Sequence, residues 1–473
     1  MAEAKMKSKA LGVFVLAMIN VAAVMSLRNL PPMAVYGWSS IGWYLIGTIT
    51  FLIPLSLAGA ELATGWPKGG GVYAWVKEAF GDKSGFVAVF CEWSNDLVWF
   101  PTILAFLAST LTFAFNPALA NNGLYMFVVM MIVFWGTTLV ALLGSKASSR
   151  FSSFGVVAGT LVPGVLFVVL GVAFLFHGKA IQLPPFKLGA LIPTMNLGVL
   201  PFLSTIVLMF AGMEMAGFHA LEVRNPQKDY PKAMLLSALI CFVLTVVGTL
   251  AIAIVVPAGK LKLSEGMMQA FQTFLAADHL TWLLAPLAVL VVVGGIPLLA
   301  AWLIGPAMGL GVVATEGKMP PMFSRHNKNG APTAVLILQA VIGSLISLLY
   351  VFIPGVNTAY WIMSAMTVTL LCIAYLFIFA SLIKLRYSKP DVPRSFKIPG
   401  GKAGVWIVGG LGFLATALTF IVSMLPIGSI KMSGALYIAI MVIGTAVLAL
   451  PPLVFLKMKK SGWKPAGKSG IKA

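Results

Sequence analysis

Residues 280–314 read LTWLLAPLAVLVVVGGIPLLAAWLIGPAMGLGVVA, without one Asp, Glu, Lys or Arg. A helix needs roughly 20 consecutive apolar residues to cross the hydrocarbon core of a bilayer, and this run is longer. Gly294, Gly295, Pro297, Gly305 and Pro306 interrupt it. Such residues weaken a helix in water but are tolerated where neighbouring helices re-satisfy the backbone. The run is continuous and not alternating, which points to a helix and away from a barrel strand.

Working outward, comparable runs recur along the chain. Twelve spans are expected, at about 10–36, 39–64, 85–116, 123–144, 153–177, 196–221, 233–257, 280–314, 332–353, 357–386, 405–426 and 434–456. No soluble domain fits between them. Lys5, Lys7 and Lys9 precede the first run. A signal peptide would be shorter and would end in a small-residue cleavage pattern, so this run is read as a retained span. The chain is therefore expected to be an all-α polytopic membrane protein, one transmembrane domain over residues 1–473. Composition agrees: 60% of the residues are hydrophobic, 10% are charged and the mean hydropathy is +0.99, against about 25% charged in soluble domains.

A net charge of +19 raises nucleic acid as a partner, and the positions of the basic residues decide against it. On the twelve-span layout 26 Lys and Arg fall on the side of both termini and 5 on the other, with Arg28 inside a span. That is a positive-inside bias, and it places both termini in the cytoplasm. The tail 457–473, with six lysines, reads as an element for topology and lipid headgroups. Cys91, Cys241 and Cys372 lie in apolar segments without CxxC spacing. No disulfide framework, metal site or cofactor is implied.

Several spans are interrupted as plain anchors are not. The first contains Asn20, Ser26, Arg28, Asn29, Pro31 and Pro32, and the sixth contains Ala211, Gly212, Met213 and Glu214. Spans one and six hold corresponding places in two successive groups of five. This is the pattern of an inverted five-helix repeat, here about 10–177 and 196–386, followed by helices 11 and 12 at about 405–456. Broken helices in matching places point to a mid-membrane binding site, because their freed amides and carbonyls can hold ions or polar groups. Simple kinking by the prolines and close packing at Gly212 is the alternative. The segment 261–277 is shorter and amphipathic, either a lid or a connecting helix at the surface.

Arg28, Glu92, Asp96, Glu214 and His219 fall within expected spans. A charge at the bilayer centre costs roughly 2.5–3.5 kcal/mol on insertion scales, so these groups must be paired, hydrated or neutral. Glu92 and Asp96 are four apart and share a helix face. Arg28 is their expected partner, either in a structural ion pair or in a site for a zwitterion or a coupled proton. Glu214, at the break of span six, is a candidate for the pocket or gate. His219 reads as a packing residue.

Several motifs resemble the amino acid, polyamine and organocation transporter superfamily. Ala60-Glu61-Leu62, then Pro67, Gly69, Gly70, Gly71, Tyr73, Trp75, Val76, Phe80 and Gly81, are similar to its second-helix signature. Phe210-Ala-Gly-Met-Glu214 resembles its sixth-helix motif, and Trp302, Gly305, Pro306 and Gly309 its eighth. The stretches 225–235 and 396–401 look most like the glutamate/γ-aminobutyrate antiporter branch, and the resemblance covers about residues 10–455.

The resemblance implies a LeuT-like five-plus-five fold with the substrate between broken helices one and six and helices three, eight and ten. It implies exchange of an external amino acid for an internal one, often its decarboxylation product. Carried over by position, the backbone at Val24, Met25 and Ser26 would hold a carboxylate, and carbonyls near Phe210 and Ala211 an amino group. Leu208, Gly212, Leu298 and Trp302 join Arg28, Asp96 and Glu214 as expected pocket residues, with Glu92, Asp96 and Glu214 as coupling or gating candidates. Leu298 stands where the branch has an acid, Arg28 stands near its acidic position on helix one, and Glu92 and Asp96 are additional.

The expected function is secondary transport of amino acids or related amines in a bacterial-type inner plasma membrane, with antiport favoured over proton-coupled symport or uniport. Partners are a small-molecule substrate and lipids, in a monomer or homodimer. A channel or substrate-sensing receptor on the same scaffold is the rival class. An intramembrane enzyme is disfavoured because His177, His219, His279 and His326 form no ligand spacing.

Overall fold

The computed structural model describes residues 12–66, 71–143, 162–176, 178, 180–193, 200–213, 226–352, 356–427, 432–460 and 463. All regular elements among them are helical. In a continuous apolar run only a helix satisfies its own backbone groups without a neighbouring segment.

We number the helices α1 (Val13–Val24), α2 (Pro31–Ala34), α3 (Ser39–Gly65, with a π-turn at Thr48–Leu52), α4 (Val72–Phe80), α5 (Asp82–Thr112), α6 (Gly123–Leu142), α7 (Val162–Phe176), α8 (Leu203–Phe210), α9 (Pro226–Val255), α10 (Gly266–Ala277), α11 (Leu284–Thr315), α12 (Thr333–Ser347), α13 (Val356–Ser388), α14 (Gly401–Val422), α15 (Gly434–Ala449) and α16 (Pro451–Met458).

Eight helices among the described residues are long and apolar enough to cross a membrane, each within a few residues of an expected span. They carry apolar stripes on their outer faces. On α6 these are Leu124, Val128, Ile132, Trp135 and Leu139; on α14 they are Ile407, Leu411, Leu414, Leu418 and Ile421. The three- and four-residue spacing puts each stripe on one helix side, and contiguous exposed apolar faces of this extent belong in lipid. The molecule is a multi-pass membrane protein.

The other expected spans look different for identifiable reasons. The first is divided into α1 and α2. The fifth and sixth are described only as the shorter apolar pieces α7 and α8, since 153–161 and 214–225 lie outside the described residues. The third, α5, is 31 residues long but carries Glu92, Asp96 and Pro101. Almost every side chain from Phe86 to Thr112 is buried, so protein and not lipid is its solvent. Its most extensive packing is against α13 and then α11.

The break in the first helix is local chemistry. The helix ends at Val24, and Met25 and Ser26 are extended, with ψ of 117° and 118°. A 3-10 turn at Leu27–Asn29 follows, and Pro31 restarts the helix at its first position, where a missing N–H costs nothing. The break after α8 has a different cause. Ala211 is extended (ψ 146°) and Gly212 has φ +102°, a conformation that costs glycine little and other residues much. The Gly212 N–H donates to the Tyr375 hydroxyl of α13 at 3.3 Å.

The amphipathic segment 261–277 forms α10, whose buried face of Met267, Met268, Phe271, Phe274 and Leu275 packs on α7 and α9. Its first residue, Gly266, lies so close to Pro31 that an added Cβ would stand 2.8 Å from the proline Cβ. The α10 start therefore closes over α2.

Candidate functional site

The two breaks meet. A small cavity of about 30 Å³ lies between the end of α1, the end of α8, and α5, α11 and α13, room for about one or two waters. Seven residues expected from sequence line it: Val24, Ser26, Asp96, Leu208, Ala211, Leu298 and Trp302. Helix ends at Val24 and Phe210 bring carbonyls without intrahelical partners, and the negative ends of two helix dipoles, to its rim.

Other expected residues lie around the cavity and not in its wall. Met25 turns to the opposite side, where the Thr245 hydroxyl donates to its sulfur at 3.5 Å. There it lines a second, apolar cavity with Leu27, Phe167 and Gly248. Phe210 is fully buried, with its ring edge-on to Tyr44 of α3 at 6.2 Å, and so anchors the end of α8. Glu92 is buried one turn before Asp96, and the Asn95 side-chain amide donates to its carbonyl. Glu214 and His219 lie outside the described residues.

The ion pair expected between Arg28 and the acids of α5 is absent. Arg28 does reach α5, but at Thr102, whose hydroxyl accepts from Nη1, while Nε donates to Asn29 Oδ1 at 3.2 Å. Its guanidinium also lies 5.4 Å from the Trp99 ring and 5.8 Å from that of Tyr360. Thr102 is six residues beyond Asp96, about 9 Å along a helix axis. The 3-10 turn at Leu27–Asn29 sends the Arg28 side chain to that level, so aromatic faces and hydroxyls replace the carboxylate partners.

Asp96 is 1% exposed and neither carboxylate oxygen has a hydrogen-bond partner. Asn29, Asn95, Trp99 and Leu371 complete the wall, and sequence reading missed them. Asn95 and Trp99 were findable, since Trp99 stands three residues after Asp96 and helix neighbours at that spacing share a face. Leu371 carries no signal beyond its apolarity. Trp99 and Trp302 lie with ring centroids 5.8 Å apart, joining α5 to α11.

One end of the bundle is tied by charges. Lys318, just past α11, contacts Asp82 at 2.7 Å and Glu316 at 2.6 Å. Lys77 of α4 contacts Glu316 at 2.8 Å and Asp82 at 3.3 Å. The Tyr73 hydroxyl donates to Glu316 and accepts from Lys318. The Lys318 hydrogen bond is the main cause that holds the Asp82 carboxyl below its ordinary value. Burial alone would raise the Glu316 carboxyl, but hydrogen bonds from Lys318, Lys77 and Tyr73 outweigh it and the net shift is downward. Among the described residues no group of three or more His, Cys, Asp or Glu could hold a metal.

Comparison with known proteins agrees with this architecture. The family profile described as amino acid permease matches residues 11–447. An uncharacterized transporter of Legionella pneumophila is 39% identical over 457 residues, covering 95% of this chain and 97% of its own. The glutamate/gamma-aminobutyrate antiporter of Lactococcus lactis subsp. lactis strain IL1403 is 28% identical over 461 residues, or 96% and 91% of the two chains. A probable agmatine/putrescine antiporter of the same strain is 24% identical over 397 residues, 84% of each.

Proposed function

Because the chain belongs to the amino acid permease family, we propose that it is a secondary transporter that exchanges amino acids or their decarboxylation products by alternating access. The observation that carries this reading is the cavity at the meeting of two helix breaks. Helix ends supply unpaired backbone polar groups there without the cost of burying charged side chains. The antiport mode rests on the relatives, two of which are titled antiporters.

In this reading the chain has twelve spans. Repeat one runs over about 10–177, repeat two over about 196–386, helices 11 and 12 over about 405–456, and a basic tail over 457–473. Both termini are cytoplasmic and the membrane is the bacterial inner membrane. Solute enters between α1 and α8, and α5, α11 and α13 form the opposite wall. The carboxylate of a substrate meets backbone N–H groups of the Val24–Ser26 break, away from the carbonyls that end α1, and its amine meets carbonyls near Ala211. The charged cluster of Lys77, Asp82, Glu316 and Lys318 then lies on the cytoplasmic side, where it ties α4 and α5 to the end of α11.

The test is counterflow in liposomes with purified protein. Labelled solute should accumulate only when the lumen is preloaded with a partner solute. Equal accumulation in empty vesicles would refute exchange, and leak current without saturation would replace the transporter with a channel.

A further inference from the structure

Loop 180–193 crosses the start of α3 and the end of α9. The Gln182 N–H donates to the Ile254 carbonyl at 2.8 Å, and Trp38 Nε1 donates to the Pro184 carbonyl at 2.8 Å. The Phe186 ring stands edge-on to that of Trp38 at 5.2 Å. A Cβ added to Gly42 would lie 2.1 Å from the Leu191 carbonyl oxygen, so the loop rests directly on α3. Between the loop and the helix ends is a cavity of about 450 Å³, whose wall includes Tyr36, Trp38, Gln182, Ala190 and Val256. That volume is within the range of small-molecule sites.

In the twelve-span reading this end of the bundle faces outward, the side that holds only five basic residues. Four of them, Lys179, Lys187, Lys260 and Lys262, fall in 178–193 and 256–263, two segments without an acid. The next acid along the chain, Glu265, is taken by Lys262 at 3.1 Å. Lys187 and Lys260 are exposed and have no ion pair among the described residues. Chain position puts both at the rim of the cavity. The Lys187 carbonyl accepts the Ala190 N–H at 2.8 Å, and Lys260 closes the 3-10 turn that begins at Ala258 of the wall. The complement of this rim is an anion.

The loop also exposes Ile181, Phe186, Leu188 and Ile192. Apolar side chains on either side of a lysine suit the headgroup boundary of a bilayer, where the apolar bodies enter the acyl layer and the ammonium stays among the phosphates. Leu45 and Ile49, three and seven residues past Gly42, are exposed on the same side of α3. An apolar track thus leads from the loop toward mid-membrane. A soluble anion would use the lysines and leave this track empty.

We propose that this cavity is a site for an anionic phospholipid of the outer leaflet. Its phosphate meets Lys187 and Lys260, its glycerol backbone lies under the loop beside Trp38 and Gln182, and one acyl chain follows Leu45 and Ile49. The bound lipid fastens loop 180–193 to the turn that joins α2 to α3. The leaflet assignment rests on the orientation given under the proposed function.

The experiment uses the full-length protein in detergent and a phosphatidylglycerol that carries a photoactivatable diazirine near its glycerol backbone, with cross-linked peptides mapped by mass spectrometry. A phosphatidylcholine with the same diazirine is the control. The phosphatidylglycerol probe should label 34–39, 180–193 or 253–260, and unlabelled phosphatidylglycerol should compete. The double variant Lys187→Gln, Lys260→Gln should need about tenfold more probe for equal labelling there, with labelling of the basic tail 457–473 unchanged. Ala258→Trp, which fills part of the cavity from an exposed position, should lower labelling with both lysines in place.

Labelling confined to the tail and the other loops, or equal labelling by the phosphatidylcholine probe, would overturn the site. Competition by glycerol 1-phosphate as effective as that by phosphatidylglycerol would overturn it too, since the occupant would then be a soluble anion. No readout involves transport, so failure of counterflow and failure of the lipid site are separate results. Orientation has its own check in Gly189→Cys, where a Cβ meets nothing within 4 Å and the three native cysteines are buried. Its thiol should react with a membrane-impermeant maleimide in spheroplasts, and reaction only after lysis would overturn the outer-leaflet assignment.

Discussion

Arg386 of α13 donates from Nη2 to the Glu61 carboxylate of α3 at 2.8 Å and to the Ile398 carbonyl at 3.1 Å, which binds two helices and a loop through one guanidinium. Glu61 in turn accepts the Ile398 N–H at 2.8 Å and lies 3.5 Å from Arg394 Nε. Its side chain is 2% exposed. A buried acid held by two cations and a backbone amide is far costlier to break than a surface pair. Removing one partner from a buried ion pair costs about 3–5 kcal/mol. Glu61→Ala should therefore lower the melting temperature of the purified protein sharply, and Glu61→Gln less so. A melting curve for Glu61→Ala that overlays the wild type would show that the cluster contributes no stability.

The Lys77, Asp82, Glu316 and Lys318 cluster makes an acid-side prediction. Both carboxyls titrate below their ordinary values of 3.8 and 4.5. Their contribution is thus present above those values and is lost as pH falls through the lower folded-state values. Burial pulls the Lys77 ammonium down, but the Glu316 hydrogen bond and charge outweigh it, for a net rise above 10.5. Its contribution is intact at neutral pH and disappears only in strong base. The melting temperature should fall steeply below about pH 4.5 in the wild type, and Glu316→Gln should flatten that fall. Parallel curves for the two proteins would mean that acid acts elsewhere.

Arg28 and Asp96 make no ion pair, so their substitutions should act independently. In a double-mutant cycle of Arg28→Ala and Asp96→Asn, the stability changes should add to within about 0.5 kcal/mol. A coupling well beyond that would show a direct interaction. Arg28→Met keeps most of the side-chain volume among Thr102, Trp99 and Tyr360, and should be milder than Arg28→Ala.

Gly47 sits where α3 passes α8, and a Cβ added there would stand 2.2 Å from Ile206 Cγ2 and 3.4 Å from the Phe210 ring. Overpacking a seated helix costs about 1–3 kcal/mol. Gly47→Ala should destabilise the protein by that much, lower its melting temperature and weaken counterflow, because the displaced element ends at Ala211 in the cavity wall. A variant with lowered stability and unchanged transport would uncouple the position of α8 from the site.

The helices were legible because lipid demands long apolar runs, and 280–314 announces itself by having no charge. The two breaks were legible from Pro31 and from the Phe210–Gly212 motif, whose chemistry is local. The direction of the Arg28 side chain was not. Opposite charges at 28 and 96 suggest a pair in any linear reading, but the geometry of a three-residue turn decides which level of α5 the guanidinium meets. Asn29 and Leu371 were hidden for a similar reason. A cavity wall is assembled from helices far apart in sequence, and nothing in a lone leucine of α13 tells that it faces empty space.

The burial of α5 also bears on how the chain is made. A segment with Glu92, Asp96 and Pro101 and hardly any outward face gains little by partitioning into lipid from the insertion machinery. Its residence in the bilayer must be secured by α11 and α13, which are synthesised hundreds of residues later. The nascent chain therefore holds its future central pillar in a provisional place until the second half arrives. Lesions in α13 that never touch the cavity should then show themselves as failed biogenesis of the first half.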